Sequence, residues 1–288
     1  MFSLRTGYFL SGIATGFIII FNVLWTLPDG KLHIVFCNVG QGDAAYIRFP
    51  DGRDMLVDGG PNNSVLQCLS RHMPFWDRAI DMVFLSHPEK DHMAGLVPVI
   101  ERYAVGYVIR SDVEKGTDID RALFALVKDK KIPEKLVETG ERIAVGSVKL
   151  AVVWPSQDQL AMVLGTTTES VNKEGVVFWL HYGNFDALFP GDMTLDEWFT
   201  GQAVGSIEVL KVPHHGSKSG MTSAFLDWLK PQLAVISVGK NSFGHPTKEI
   251  LQLLADHNAQ VLRTDLPAQA GQSGDVEIIS DGTNWTVE

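Results

Sequence analysis

A six-residue segment, HPEKDH, directly follows the apolar run at 82–86 and places two imidazoles and two carboxylates at the end of a predicted strand. Nitrogen and oxygen donors without a thiolate suit divalent cations such as Zn²⁺ or Mn²⁺. His87 and Glu89 lie two residues apart, so a nearly extended backbone directs both side chains toward one point. Asp91 and His92 are adjacent and diverge, so they can serve a second ion. The segment therefore predicts a metal site at a strand end.

Further apolar runs that are predicted as strands also end in His or Asp. Loops that follow such strands converge on one face, so we expect these donors to meet the first segment there. A glycine beside the donors lets the backbone approach the site closely. The runs and their donors are 185–189 with Asp192, 207–212 with His214 and His215, and 233–238 with His245. The run at 176–180 is predicted to pair with 185–189.

Five motifs together resemble one known family. They are CNVGQGDAAYIRFPDGRDMLVDGG at 37–60, LSHPEKDHMAGL at 85–96, LFPGDM at 188–193, LKVPHHGSKSG at 210–220 and ISVGKNSFGHP at 236–246. In order and spacing they are similar to the metallo-β-lactamase domain of ComEC, the membrane channel protein of bacterial DNA uptake. The resemblance implies an α/β fold, the αββα sandwich, with one or two divalent metal ions (Zn²⁺ or Mn²⁺) at the edge of the sheets.

The resemblance also implies a metal-binding role for each donor. His87 and Glu89 match the ligands of a first ion, and Asp91 and His92 match the side of a second ion. Asp192 matches the carboxylate that bridges the two. His215 matches a late histidine ligand, with His214 as its competitor.

Other motif residues match catalytic, supporting or substrate-binding positions. Asp91 is expected to orient the nucleophile and His245 to donate to the leaving group, with His214 as a further catalytic candidate. Asp58 is expected to orient the metal loop from behind, and Asp43 to support the glycine-rich turn. Residues that flank the motifs and are expected to contact the substrate are Lys211, Ser217, Lys218 and Asn241.

The chain departs from the family pattern at several positions. The wider superfamily has His, and the ComEC branch usually Asp, where this chain has Glu89; Asn38 stands where the branch usually has Asp. The histidine ligand expected between the second and fourth motifs is not evident, and Asn172 and His181 lie nearby. A site with one metal ion therefore stays open, as does a degenerate site.

The donor set favours phosphodiester hydrolysis, because divalent ions activate water and neutralise phosphoryl oxygens. A nuclease acting on DNA is the first hypothesis. An esterase or phosphoesterase of the cell envelope, and a catalytically weak module that binds DNA or a channel, are the alternatives. The net charge of −10 opposes broad binding of DNA, so a local rim of lysines and the ring of Phe243 would have to guide a strand.

The N-terminal run at 8–27 has twenty residues without a charge, which is long enough to cross a bilayer as a helix. A cleaved signal peptide is the alternative, but the run is long for one and no small-x-small cleavage pattern follows it. We expect a membrane anchor over residues 1–30 and one metallo-β-lactamase-fold hydrolase domain over residues 31–288.

The charges around this run predict its orientation. Arg5 precedes the run, whereas Asp29 and Lys31 nearly cancel after it, which favours a cytoplasmic N-terminus and an extracytoplasmic domain. One predicted span leaves no room for a pore. A role in DNA uptake would therefore require a separate channel protein as partner.

Two cysteines, Cys37 and Cys68, fit no metal motif. In an exported domain they can pair, but the position of Cys37 on a predicted core strand favours free buried thiols.

Overall fold

The chain forms two facing β-sheets with helices on their outer sides. The computed structural model describes residues 8, 11–17, 27–154, 175–195, 206–266 and 274–288. The first sheet has the strand order β15-β14-β1-β2-β3-β4-β5-β6. Its strands are β1 (Leu32–Phe36), β2 (Ala45–Arg48), β3 (Asp54–Val57), β4 (Ala79–Phe84), β5 (Ala104–Arg110), β6 (Glu134–Leu136), β14 (Val276–Ser280) and β15 (Trp285–Val287).

The second sheet has the strand order β13-β12-β11-β10-β9-β8-β7. The predicted pair of strands is confirmed, because Leu188 of β10 lies opposite Trp179 of β9 in antiparallel register. Its strands are β7 (Arg142–Val145), β8 (Val148–Trp154), β9 (Val177–Tyr182), β10 (Phe185–Phe189), β11 (Val209–Lys211), β12 (Leu233–Ile236) and β13 (Gln260–Arg263).

Helices cover the outer face of each sheet. Helix α4 (Asp118–Asp129) packs against the first sheet, and Thr117 caps it by accepting the N–H of Asp120. The other helices against the first sheet are α1 (Ser64–His72), the short α2 (Lys90–Met93) and α3 (Leu96–Arg102). Those against the second sheet are α5 (Ser223–Leu229) and α6 (Lys248–Asp256).

Alternation along β1 shows how the sequence divides its apolar residues between layers. Ile34 and Phe36 enter the core between the sheets, whereas Val35 and Cys37 pack with the helices, because successive side chains of a strand point to opposite faces. The αββα sandwich expected from the resemblance is therefore the observed fold.

Phenylalanines close the space between the sheets. The ring of Phe178 on β9 lies 4.4 Å from that of Phe84 on β4 and 4.7 Å from that of Phe189 on β10. Burying one such side chain stabilises a fold by about 1.5–3 kcal/mol. These contacts fix the end of β4 against the end of β10, where two of the motifs that are predicted to bind metal begin.

Parallel pairing aligns the strand ends that carry the motifs. Strands β3, β4 and β5 run parallel in the first sheet, and β10, β11 and β12 run parallel in the second. The carboxyl ends of parallel strands meet at one edge, and ligands of open α/β sheets bind there. The fold thus brings the loops after β3, β4, β10, β11 and β12 together.

The N-terminal prediction is not settled by the structure. Within the described part of the chain, no helix combines the length and the apolar character needed to cross a membrane. The predicted anchor at 8–27 lies in part outside the described residues, and it stays a prediction.

The two cysteines form a disulfide. Cys37 at the end of β1 is bonded to Cys68 on α1, with their Cα atoms 5.7 Å apart. The interpretation that favoured free thiols is wrong, although both residues are fully buried as expected. A core strand and its covering helix approach closely enough to bring two buried cysteines together, so burial did not discriminate between the alternatives.

Candidate metal centre

The structure gathers the predicted donors at the edge where the parallel strands end. In chain order they are Asp58 after β3, His87 to His92 after β4, Asp192 after β10, His214 and His215 after β11, and His245 after β12.

Four of these residues each bring one donor atom to within 4.8 Å of one another. They are Asp91, His92, Asp192 and His215. The last three are buried, whereas the side chain of Asp91 is 32% exposed, so the group opens to solvent on that side. Two imidazoles and two carboxylates supply the four ligands that a tetrahedral Zn²⁺ site uses, and the same donors suit Mn²⁺.

His92 is oriented by a buried carboxylate. Its Nδ1 lies 2.8 Å from Oδ2 of Asp58, and its Nε2 lies 3.3 Å from Oδ1 of Asp192. An N–H donated from Nδ1 to Asp58 leaves the lone pair of Nε2 toward Asp192. Such carboxylate–histidine pairs fix the ring and raise the basicity of a metal ligand. The predicted supporting role of Asp58 therefore has a geometric basis.

His215 is oriented in the same way by a backbone carbonyl. Its Nδ1 lies 2.9 Å from the carbonyl oxygen of Ser237, and its Nε2 lies 3.3 Å from Oδ2 of Asp91. The Nε2 also lies 3.7 Å from Oδ2 of Asp192. Both histidines of the group thus turn the same nitrogen toward the two carboxylates.

His87 stands beside this group rather than within it. Its ring centroid lies 4.0 Å from that of His92, and its Nδ1 lies 3.0 Å from Oγ of Ser86. Ser86 donates its hydroxyl to Asp58 at 2.6 Å, so one serine links the carboxylate to the histidine. The Nε2 atom of His87 is buried and has no hydrogen-bond partner among the residues that the structure describes.

The turn that carries His214 and His215 has an unusual backbone. Both residues have positive φ, 49° and 52°, which costs a non-glycine residue on the order of 1–3 kcal/mol and concentrates at functional sites. Gly216 follows with φ 82°, where an added Cβ would lie 2.6 Å from Cβ of Pro246. The turn therefore places the two histidines at the cost of local strain, and only glycine fits behind them.

The electrostatics of the group are those of a site built for a cation. Burial disfavours charge on His215, but the carboxylates of Asp192 and Asp43 outweigh it and raise the pKa of His215 to about 10. Burial also disfavours charge on His92, but Asp192 and Asp58 hold the pKa of His92 well above its usual range. The ionised state of Asp192 is favoured in turn, because the positive charges of His215 and His92 overcome its burial and lower its pKa.

Buried atoms without partners show that the residues present fit a metal ion. Nε2 of His87, Nε2 of His92 and Oδ1 of Asp192 are buried and have no hydrogen-bond partner among the described residues. Unpaired buried polar groups are costly and rare in folded proteins. A divalent ion held by Asp91, His92, Asp192 and His215 would satisfy the last two atoms and displace the protons of the imidazoles.

His214 and His245 lie at the open side of the group. Nε2 of His214 is 3.9 Å from Oδ2 of Asp192, and the rings of His214 and His245 meet edge to face at 5.7 Å. Burial and the positive charges of His214 and His215 lower the pKa of His245. The two histidines therefore lie beside the donors, and their predicted catalytic roles stay predictions.

Lys211 has a different place from the one predicted. It is 4% exposed, its Nζ is paired with the carboxylate of Asp43, and it donates to the carbonyl oxygen of Gly191 at 3.1 Å. A substrate cannot reach this ammonium group, so the predicted contact of Lys211 with substrate is wrong. The carboxylate of Asp43 lies beside the donors, with Oδ1 3.5 Å from Nδ1 of His215. The predicted support of the glycine-rich turn by Asp43 stays a prediction.

Asn241 makes hydrogen bonds within its own loop, whereas the sequence predicted a contact with the substrate. Its Nδ2 donates to the carbonyl oxygens of Gly239 and His245, at 2.9 and 2.8 Å. Its Oδ1 accepts the backbone N–H groups of Phe243, Gly244 and His245. The side-chain amide is therefore fully used within its own loop, and it rigidifies the segment that presents His245.

The two remaining substrate candidates lie on the turn after the paired histidines. Ser217 is buried, and its Oγ lies 3.1 Å from Oγ of Ser219. Lys218 is exposed beside it. Of the four residues predicted to contact substrate, Lys218 alone offers an exposed charge.

The residues at which the chain departs from the family pattern lie in different parts of the structure. Glu89 lies outside the donor group, because its carboxylate accepts a hydrogen bond from Lys115 at 2.5 Å. Asn38 accepts the N–H of Gly40 on its Oδ1. His181 lies on β9 against Asp186, at 2.8 Å, and Asn172 falls outside the described residues.

Sequence reasoning missed Ser86, the carbonyl of Ser237 and Lys115. A serine before the first histidine and a carbonyl at a strand end carry no pattern that distinguishes them. Lys115 lies in a charged stretch, at 112–121, where a solvated side chain is the ordinary expectation. Only the tertiary structure brings these groups to the site.

Curated proteins with similar sequences include a ComE operon protein and a competence protein. The chain is 28% identical over 261 residues to ComE operon protein 3 of Bacillus subtilis, covering 82% of this chain and 32% of that protein. It is 32% identical over 250 residues to competence protein ComA of Neisseria gonorrhoeae, covering 83% of this chain and 32% of that protein. The chain thus corresponds to about a third of the length of each relative. No model of a known protein family matches it.

Two sheets between helices, with His and Asp donors at one edge, define a protein of the metallo-β-lactamase fold. A solved structure bears this out: the metallo-β-lactamase fold protein YhfI from Bacillus subtilis superposes with a TM-score of 0.55 at 14% identity, over 81% of this chain and 97% of that one. Within this class the chain is a ComEC-like protein.

Proposed function

We propose that this chain is a metal-dependent phosphodiester hydrolase that cleaves DNA outside the cytoplasmic membrane. The observation that carries the proposal is the group of Asp91, His92, Asp192 and His215, whose donor atoms meet within 4.8 Å at an open edge of the fold. A divalent ion held there would polarise a phosphoryl oxygen and lower the pKa of a water molecule.

The surrounding residues supply positions for the other parts of a hydrolysis. The partly exposed carboxylate of Asp91 can accept a hydrogen bond from the attacking water and orient it. His245 has a lowered pKa, so it is neutral near pH 7 and carries one N–H that can donate to the leaving oxygen. His214, between Asp192 and His245, can hold a non-bridging phosphate oxygen.

DNA is the proposed substrate because one similar protein is named a competence protein and the sequence motifs resemble those of ComEC, a protein of DNA uptake. The loop after β12 supports this choice, since it carries the exposed ring of Phe243 and the exposed Lys240 next to the donors. Aromatic rings that stack on bases and lysines that contact phosphates are the usual features of single-strand binding. The net charge of −10 argues for contact along this rim only.

The proposed location outside the membrane has independent support from the disulfide between Cys37 and Cys68. Disulfides persist in oxidising compartments and are rare in the cytosol. A single-pass anchor over 8–27, with its N-terminus in the cytoplasm, would hold the domain at the outer side of the membrane. A separately encoded channel protein would then take up the remaining strand.

The test is a cleavage assay on the full chain purified in detergent. The protein is stripped of metal, reloaded with Mn²⁺ or Zn²⁺, and incubated with end-labelled single- and double-stranded DNA and with bis(p-nitrophenyl) phosphate. Asp192→Ala removes a central donor, and Asp227→Ala serves as the matched control, because its side chain is 73% exposed on α5.

We expect metal-dependent cleavage of DNA that is lost in Asp192→Ala and kept in Asp227→Ala. Cleavage of the small diester without cleavage of DNA would instead indicate a phosphoesterase of the envelope. Binding of DNA without turnover under both metals would contradict the proposal and favour a binding module.

A further inference from the structure

The side chain of Glu89 is engaged by a lysine at the position where the family has a metal ligand. Nζ of Lys115 donates to Oε1 of Glu89 at 2.5 Å, and the two side chains are 20% and 33% exposed. Glu89 is not among the four residues whose donor atoms meet, which are Asp91, His92, Asp192 and His215. Glu89 is one methylene longer than Asp, which lets its carboxylate reach outward.

Lys115 is held in place by a buried carboxylate. The backbone N–H groups of Lys115 and Gly116 donate to Oδ2 of Asp120, at 2.5 and 2.7 Å. Asp120 is 1% exposed in the first turn of α4, where Thr117 accepts its N–H. An exposed lysine is ordinarily mobile, but here the backbone that carries it is fixed by hydrogen bonds to a charged group.

The described donors suffice for one ion. Asp91, His92, Asp192 and His215 meet within 4.8 Å and complete a four-ligand set. A second ion would need His87 and Glu89 together with a shared carboxylate. With Glu89 paired to Lys115, His87 is the one remaining donor of the HPEKDH segment that lies outside the first set.

We infer that this centre binds a single divalent ion, and that the Glu89–Lys115 ion pair stands in place of the second. A lysine ammonium is a compact point charge, so it can compensate carboxylates where another cation would otherwise bind. The same ammonium lines an open groove with Asp91 and Thr117, beside the exposed end of the donor group. The inference rests on the part of the proposed function that assigns a divalent ion to the four donors, and not on the substrate.

The experiment counts bound ions without any substrate. Metal-free full-length protein in detergent is titrated with Mn²⁺ by calorimetry, and the metal content after dialysis is measured by mass spectrometry. The variants are Glu89→Gln, Lys115→Met and Lys115→Arg, the last of which keeps the positive charge. Circular dichroism and thermal unfolding check that each variant is folded.

We expect one ion per chain in the wild type, in Glu89→Gln and in Lys115→Arg, and a second, weaker ion in Lys115→Met, because that change frees the Glu89 carboxylate. Two ions in the wild type, or loss of an ion in Glu89→Gln, would overturn the inference. A count of one bound ion in Lys115→Met would also overturn the inference, because the ion pair would then not stand in place of a second ion. Absence of any bound ion would contradict the proposed function itself, so the two failures are distinguishable.

Discussion

Oδ2 of Asp58 lies 2.8 Å from Nδ1 of His92, and both side chains are buried. Asp58 also accepts the hydroxyl of Ser86 and the backbone N–H of the same residue, at 2.6 and 2.8 Å. This carboxylate therefore holds the strand end and the ring of a proposed metal ligand at once. Its removal should act on metal binding through His92.

We expect Asp58→Asn to weaken the affinity for Mn²⁺ or Zn²⁺ by about 10- to 100-fold, the usual effect of losing such a partner. The amide keeps the size of the side chain but removes the negative charge that His92 Nδ1 faces. Competition with a chromophoric chelator measures the change.

The matched control is Asp54→Asn at the other end of the same strand. Asp54 is also buried, and burial raises its pKa to about 7, but it bonds Tyr46 and Asp81 away from the donors. Equal loss of metal affinity in both variants would show that the effect comes from general loosening and not from His92.

The buried pair of Lys211 and Asp43 should matter for folding more than for substrate binding. Removing one partner leaves the other charge buried and uncompensated, which typically costs about 3–5 kcal/mol. We expect Lys211→Met to lower the free energy of unfolding by that amount in urea, measured in chelator so that lost metal does not contribute.

Lys218→Met is the surface control, with an expected change within about 0.5 kcal/mol. The double variant Asp43→Asn with Lys211→Met should lose less than the sum of the single changes, because no unpaired charge remains. Additive losses would contradict a coupled pair.

Much of the fold and of the donor group could be predicted from local patterns. Each apolar run followed by Gly and a donor became a strand with its loop at the shared edge, as in Leu188 to Asp192. Such patterns work because the period of a strand and the need for glycine at tight approaches are local properties.

What could not be predicted depends on partners distant in sequence. The LKV pattern around Lys211 does not distinguish an exposed lysine from one that is buried against Asp43. Likewise Glu89 matches a ligand position by sequence, and only the folding of α4 brings Lys115 to it. The same holds for Cys37 and Cys68, whose pairing depends on how α1 crosses the sheet.

The disulfide should contribute measurably to stability. It joins residues 31 positions apart, and a loop of that size stabilises a fold by about 2–4 kcal/mol in the chain-entropy description. We expect reductant to lower the free energy of unfolding by this amount in the wild type and to have no effect on Cys37→Ala with Cys68→Ala. Thiol titration in denaturant should detect no free thiol before reduction; two free thiols there would contradict the bond.

A second charged cluster, away from the donors, should make stability depend on pH. Burial disfavours a charge on His72, but hydrogen bonds to Asp275 and Glu277 outweigh it and raise the pKa of His72 to about 9. Because the folded pKa lies above the ordinary value of 6.5, this stabilisation is complete below about pH 6.5 and is lost as the pH rises toward 9.

We expect the wild type to lose about 1–3 kcal/mol more than His72→Gln between pH 6 and pH 9 in urea unfolding. His257→Gln, on the other side of the fold, should follow the wild type. If the unfolding free energies of the wild type and of His72→Gln changed in parallel with pH, His72 would be excluded as the source of the pH dependence.

Phe243 provides the sharpest test of DNA as the substrate. Its ring is 72% exposed and 5.8 Å from that of His245, on a loop that Asn241 fixes by accepting three backbone N–H groups. A rigid exposed ring beside the donors can stack on an unpaired base, a contact that contributes about 1–3 kcal/mol. We expect Phe243→Ala to weaken binding of a single-stranded oligonucleotide by the corresponding factor of about 5 to 150, measured by fluorescence anisotropy with chelator present.

Duplex DNA should be affected less, since its bases are already stacked. Phe75→Ala is the matched control, because Phe75 is 65% exposed but precedes the amino end of β4, opposite the donors. Wild-type affinity in Phe243→Ala, or an equal loss in Phe75→Ala, would contradict base stacking at this loop.

Because the exposed ring and the proposed leaving-group histidine share one loop, loss of stacking should also reduce the rate of cleavage of single strands while leaving hydrolysis of bis(p-nitrophenyl) phosphate unchanged.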